Sequence, residues 1–332
     1  MFPFKFIPRI GQMMLCFLLW SATTATAQHR FALADGRMVA PLEMFQECPQ
    51  CPEMIVMPMG SFMMGAKPED SRNPFDFYGE NPSRTRREPG EINIIPHEHP
   101  RHRVEIDIPY AIGRNEVTHA EWMACVDAGA CTHVPDHRVP KPYGFTELGP
   151  RHPVMNVSYL DIQEYLTWLN AMVGADVYRL PTEAEWAYGA RAGTNSRFAQ
   201  GDDLRPDQAN FSGVGTERLR GTEMPELMNR RMPVPVDELD ASNAWGLRHM
   251  SGNVRERTRS CWTETHPGLA TSSAYLALSL AQGECKRVSK GGSFASGMDS
   301  ARPAARGRAN ETYRREKSGF RVVRQLTVTG EE

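Results

Sequence analysis

Apolar and charged residues alternate along Arg103-Val-Glu-Ile-Asp-Ile108, a period of two that predicts a strand. It buries Val104, Ile106 and Ile108 and leaves Glu105 and Asp107 facing water. Upstream, the apolar run from Met54 to Gly65 reads as a strand closing on glycine. Three helices are announced by one device, a hydroxyl residue followed three positions later by an acid, so that each side chain satisfies an orphan backbone donor. They begin at Thr118 (THAE), Ser158 (SYLD) and Thr182 (TEAE). The second carries an apolar stripe of Ile162, Tyr165, Leu166, Leu169 and Val173 and stops at Gly174. The third runs to about Ala192 and stops at Gly193. The charged, proline-rich stretch 67–101 has no apolar periodicity and reads as a surface insertion. Beyond Asn195 the prolines and glycines forbid a long helix or a central strand, which leaves short strands and turns.

Composition agrees with so punctuated a chain, since 27 glycines and 25 prolines stand among 332 residues. No repeat and no shift in composition marks a boundary inside 48–328, so that span is expected to be one domain, with 28–47 as an N-terminal extension. With 38 Lys and Arg against 40 Asp and Glu, the formal charge of −2 excludes a generic nucleic-acid binder.

Residues 1–27 combine Lys5 and Arg9, the apolar run Met13 to Trp20, and the A-x-A site Ala25-Thr-Ala27 before Gln28. That is the layout of a cleaved secretory signal. A membrane anchor needs about 20 apolar residues, so no transmembrane anchor is expected after cleavage, and the chain should be periplasmic or secreted. Cys16 lacks the small neighbours of a lipidated cysteine and leaves with the signal. Six cysteines remain, an even number that in an exported chain points to disulfides. Proximity suggests Cys48 with Cys51, Cys125 with Cys131 and Cys261 with Cys285, among 15 possible pairings. For Cys48-Pro-Gln-Cys51 a redox or metal site is the competing reading.

Seven segments in order then carry a resemblance: PMGSFMMG (58–65), HPRHRVEI with NEVTHAEW (99–122), PVMNVSYLDIQEYLTWLN (153–170), YRLPTEAEWAYGARAG (178–193), NAWGLRHMSGNVRE (243–256), RVSKGGSF (287–294) and GFRVV (319–323). Together they resemble the formylglycine-generating enzyme, or sulfatase-modifying-factor, family. The resemblance implies an α+β fold, a compact single domain of the C-type-lectin-like sort with little regular secondary structure, here stapled by disulfides. Local physics agrees, because Pro181, the Thr182 cap and a buried Trp186 make Arg179 to Trp186 a strand-to-helix junction.

Family members that make formylglycine use two cysteines shortly after the glycine turn, but here no cysteine follows Cys285. Ser296, near the first cysteine's place, offers neither a thiolate for copper nor an accessible alkoxide. Formylglycine formation is therefore not expected, and copper or iron is not supported. The family also implies structural calcium, for which Gly252, Val254 and Glu256 match one ligand set and Asn210 half of a second. Two departures bear on it. His249 replaces the usual Asn or Asp, and Arg255 or Arg257, in place of flanking aromatics, could pair with Glu256 instead. The histidines of His97-Glu-His-Pro-Arg-His102 read as a solvated loop rather than a metal site, and the arginines from Arg302 to Arg324 as structural ion pairs rather than an anion receptor.

A kept scaffold without the family's thiols points to a binding or maturation factor for another exported protein or peptide. Ser293, Asn253 and Arg302 are the candidate ligand contacts around the implied cleft. The alternative is an oxidoreductase of the same fold using non-cysteine chemistry, metal-dependent or of siderophore-maturation type. A lectin-like receptor is a third reading, which ligand binding without turnover would distinguish.

Overall fold

The computed structural model describes Met1 and residues 30–71 and 95–328. The expected signal segment and most of the insertion lie outside these residues.

All three predicted caps form as complete capping boxes. Thr118 and Glu121 open α1 (His119–Asp127), Ser158 and Asp161 open α2 (Tyr159–Val173), and Thr182 and Glu185 open α3 (Glu183–Arg191). Gly174 ends α2 in the left-handed conformation at φ 69°. The chain also builds two helices that the pattern did not predict, α4 (Gly213–Arg220) and α5 (Ser272–Ala281). Both are capped by a hydroxyl, Ser212 or Thr271, without the acid three residues on, so the cap signal is only half present.

The main sheet is antiparallel, with strands in the order Tyr178–Arg179, Val323–Gln325, Tyr110–Gly113, Met54–Val56 and Met44–Phe45. A second sheet orders Gly307–Ala309, Arg287–Lys290, Arg255–Cys261 and Ser318–Gly319, the last pair parallel. The run from Met54 to Gly65 is two strands rather than one. Met54–Val56 stays in the main sheet, and past Pro58 the strand Gly60–Met64 pairs with His102–Ile106. In that partner Val104 and Ile106 are buried and Glu105 and Asp107 exposed, as the alternation required, while Ile108 lies beyond the strand and is half-buried.

Residues 31–47 are woven into the domain instead of extending from it. Phe31–Ala32 pairs with Thr327–Val328 near the far end of the chain, and Met44–Phe45 forms an edge of the main sheet. The insertion is pinched at its base, where the Ile95 amide donates to the Ser71 carbonyl at 2.8 Å.

The apolar stripe of α2 packs under the main sheet, where Tyr165 stacks on Trp122 at 5.7 Å and meets the edge of Phe320. Trp186 of α3 anchors a second cluster with Tyr110, Ile112 and Leu247. The three disulfides suggested by proximity all form, with Cα separations of 4.9, 5.3 and 5.7 Å in chain order. Cys48 and Cys51 are therefore a bridge here, not the thiolate half of a zinc site. Among the described residues no helix is long and apolar enough to cross a membrane.

Chain entropy separates the staples, because Cys261 and Cys285 close a far longer loop than Cys125 and Cys131. Replacing the first pair by serine should cost about 3 to 4 kcal/mol and the second about 2. Denaturant unfolding of the two variants reads this directly, and equal or inverted losses would contradict it.

Candidate functional site

Three chain segments meet where the sequence placed the cleft. Gly252 adopts φ 94°, and a Cβ there would collide with the Asn210 carbonyl, so only glycine lets the two backbones approach. The Gly252 amide donates to the Gly291 carbonyl, the Asn253 amide to the Asn210 carbonyl, and the Phe294 amide to the Asn253 carbonyl, each at 2.7 Å. Asn253 then uses its whole side chain internally. Its Nδ2 donates to Glu116 Oε2 at 2.7 Å, and its Oδ1 accepts from Val234 N at 2.9 Å and from Asn210 Nδ2 at 3.2 Å.

Glu116, which the sequence reading passed over, is the carboxyl group at the centre of this cluster. Its Oε1 accepts from the Val254 amide at 3.0 Å. Burial and the nearby Glu256 push its pKa up to about 8. Its only sequence signal was its place in NEVTHAEW, just ahead of the Thr118 cap.

The expected ligand contacts are not surface groups. Ser293, Asn253 and Arg302 are 1 %, 0 % and 3 % exposed, so none presents a polar atom to an incoming partner. Arg302 forms a bidentate pair with Glu98, both contacts at 2.8 Å. Ser293 Oγ lies 2.9 Å from Ser296 Oγ, and the two hydroxyls bond each other.

Glu256 also departs from the expectation set for it. Its Oε2 accepts from Arg321 Nε at 2.6 Å and from Trp186 Nε1 at 2.7 Å, while Oε1 accepts from Arg321 Nη2 at 2.7 Å. The cationic partner is Arg321, not Arg255 or Arg257. A carboxylate so engaged and neutralised does not fit calcium, and Gly252, Val254 and Asn210 without it supply no negative charge. His249, fully buried, is held neutral by burial and by the Arg248 and Arg321 charges, which press its pKa down to about 3.

The histidines between 97 and 102 are half-buried rather than fully solvated. His97 lies against the Trp262 ring at 4.9 Å, and His102 Nε2 is 2.8 Å from the Tyr275 hydroxyl. Arginines of the C-terminal segment pair with acids, as expected: Arg306 with Glu183, Arg314 with Asp161 and Arg324 with Glu47. Burial opposes ionisation of Glu183, but the Arg306 and Lys290 charges overcome it and hold the pKa near 2.

Two outcomes follow. Removing calcium with a chelator should leave the melting temperature unchanged, whereas Glu256→Ala, which strands Arg321, should cost about 3 to 5 kcal/mol. A chelator-sensitive melting temperature would return calcium to the turn. Because Glu116 holds its proton to about pH 8 in the folded chain, its contribution to stability is greatest below about pH 4.5 and is lost as pH rises towards 8. Denaturant unfolding across that window should show a downward slope that Glu116→Gln flattens, and an unchanged slope would contradict the assignment.

Comparison with known proteins completes the picture. The model of the sulfatase-modifying factor enzyme 1-like domain matches residues 41–326. The formylglycine-generating enzyme of Bos taurus is 36 % identical over 118 residues, which cover 35 % of this chain and 29 % of that protein. The chain thus spans about a third of the mammalian enzymes it matches. The chaperone protein LppX of Paenibacillus barcinonensis is 27 % identical over 65 % of this chain and 80 % of its own. The solved structure of PvdO from Pseudomonas aeruginosa superposes with a TM-score of 0.62 at 27 % identity, covering 86 % of this chain and 99 % of that one. The chain belongs to the sulfatase-modifying-factor family, whose domain model matches it nearly end to end.

Proposed function

We propose that this protein is an exported binding or maturation factor for another exported protein, and that it does not make formylglycine. The observation that carries the reading is the segment after the glycine turn. There Ser293 and Ser296 bond each other, and neither hydroxyl has a histidine, lysine or carboxylate among its hydrogen-bond partners in the described residues. A hydroxyl without a base is a poor nucleophile near neutral pH and does not bind soft copper. What is kept is the scaffold around it.

Two further facts support the reading. The relatives matched over most of their own length include a protein named as a chaperone, whereas the mammalian formylglycine-generating enzymes are matched over about a third. Three disulfides and the absence of a membrane-spanning helix among the described residues are compatible with a place outside the cytoplasm. The mature chain is expected to begin at Gln28, which N-terminal sequencing of the exported protein would read.

The test is made in the producing organism. In-cell cross-linking of the tagged full chain should capture an exported protein whose folded or active yield falls on deletion of this chain and returns with the wild type. A captured protein indifferent to the deletion would contradict the reading, as would oxidation of a substrate by the purified chain alone. The second of these results would put the oxidoreductase alternative first.

A further inference from the structure

A hairpin of two strands, Arg138–Lys141 against Gly144–Glu147, pairs with no other strand among the described residues, and a hairpin alone is marginally stable. Within 136–149 only His137, Val139 and Leu148 are buried, and Tyr143 at the tip is 99 % exposed. Val139 and Leu148 pack with Met155, Val254 and Phe294. The hairpin therefore lies over the turn in which the Phe294 amide donates to the Asn253 carbonyl. Two apolar side chains are a slight hold on so exposed a segment.

What else ties the hairpin down is imidazole. His137, at its base, stacks on His119, the first residue of α1, with ring centroids 3.7 Å apart and planes 4° from parallel. His152 stands edge-on to His137 at 6.3 Å. His137 Nε2 lies 3.2 Å from the Gly149 carbonyl, which can only accept, so this nitrogen carries the proton. Nδ1 is then the basic nitrogen, and it is buried with no hydrogen-bond partner, as is Nδ1 of His119.

A further proton on the stack finds nothing to balance it. On the hairpin, Asp136 is held by Arg138 at 2.8 and 3.0 Å, and exposed Glu147 stands opposite Arg138 in the ladder. Earlier in the same segment, His133 gives its Nε2 to the Asn156 carbonyl. On α1, Glu121 is turned onto the amide and hydroxyl of Thr118. Beyond the 149–152 loop, Asp237 and Glu238 act on His152 rather than on the stack, and Asp237 is paired with Arg151 at 3.1 Å. Burial and the like charge of His119 push the His137 pKa down to about 4, and burial lowers those of His119 and His152.

We propose that the hairpin is an acid-released cover, in which protonation of the His119–His137 stack drives the rings apart, lifts residues 137–148 and uncovers Met155, Val254 and Phe294. Freed from the stack, His137 takes its proton at its ordinary value of 6.5. The released hairpin thus binds a proton that the docked one refuses. Docking is complete above about pH 6.5 and weakens as pH falls towards 4. The release needs no partner, so it stands apart from the proposed function.

Amide hydrogen exchange of the full chain, corrected for the intrinsic rate at each pH, reads the release. Between about pH 7 and about pH 4.5 protection of the hairpin amides should fall about tenfold or more while that of α2 holds. His137→Gln keeps a donor for the Gly149 carbonyl but does not titrate, and His119→Phe keeps a ring in the stack but removes one charge. Each should shrink the acid-induced loss, and a smaller loss in either folded variant supports the cover. Protection that does not change with pH, a loss shared equally by α2, or a loss as large in every folded variant as in the wild type would each overturn it.

Discussion

A guanidinium and a carboxylate, both taken wholly out of water, hold this fold together. Glu256 lies on the second sheet and Arg321 near the end of the chain, and neither has any solvent exposure. Arg321 also donates to the carbonyls of Gly113, Arg114 and Arg248, while Glu256 takes the indole N–H of Trp186. One ion pair thereby joins a central strand, the turn before Gly252, the second sheet and α3. Desolvating either ion alone would be very costly, so removing one partner should be strongly destabilising. The same pair engages both oxygens of Glu256, which leaves that carboxylate a poor calcium ligand.

The pattern repeats around the molecule. Arg302, Arg306 and Arg324 reach back across long stretches of chain to Glu98, Glu183 and Glu47 in pairs that are likewise buried, while half-exposed Arg314 pairs with Asp161 at the surface. A protein built from short strands and many turns has few long elements to bury against one another. Buried ion pairs and disulfides at loop ends supply the cross-links that long helices would provide elsewhere. After the glycine turn, Ser296, near the place the resemblance gives to the first cysteine, bonds the Ser293 hydroxyl instead.

Much of this was legible in the chain, and what was legible is local. Each capping box is written within four residues, the alternation at Arg103 to Ile108 within six, and each cysteine pair was drawn from sequence neighbours. The candidate site was only partly legible. Gly252, Asn253 and Asn210 do meet, yet Ser293, Asn253 and Arg302 are buried where ligand contacts were expected. Burial and the choice of partner are set by tertiary packing, which spacing does not encode. Arg321 finds Glu256 across 65 positions, past the nearer Arg255 and Arg257. Helix α5 escaped notice because its cap lacks the acid, and Glu116 because a lone acid beside a strand end looks like any surface carboxylate until the structure buries it.

The most direct test of the central claim, a formylglycine-generating scaffold without the oxidase, is a single incubation. Purified, disulfide-intact chain loaded with copper would be mixed with a cysteine-containing sulfatase-type peptide under oxygen and the peptide weighed by mass spectrometry, with a cysteine-bearing family enzyme as the positive control. The account predicts that the peptide keeps its thiol while the control converts it. Turnover of the cysteine to the aldehyde by this chain would contradict the account.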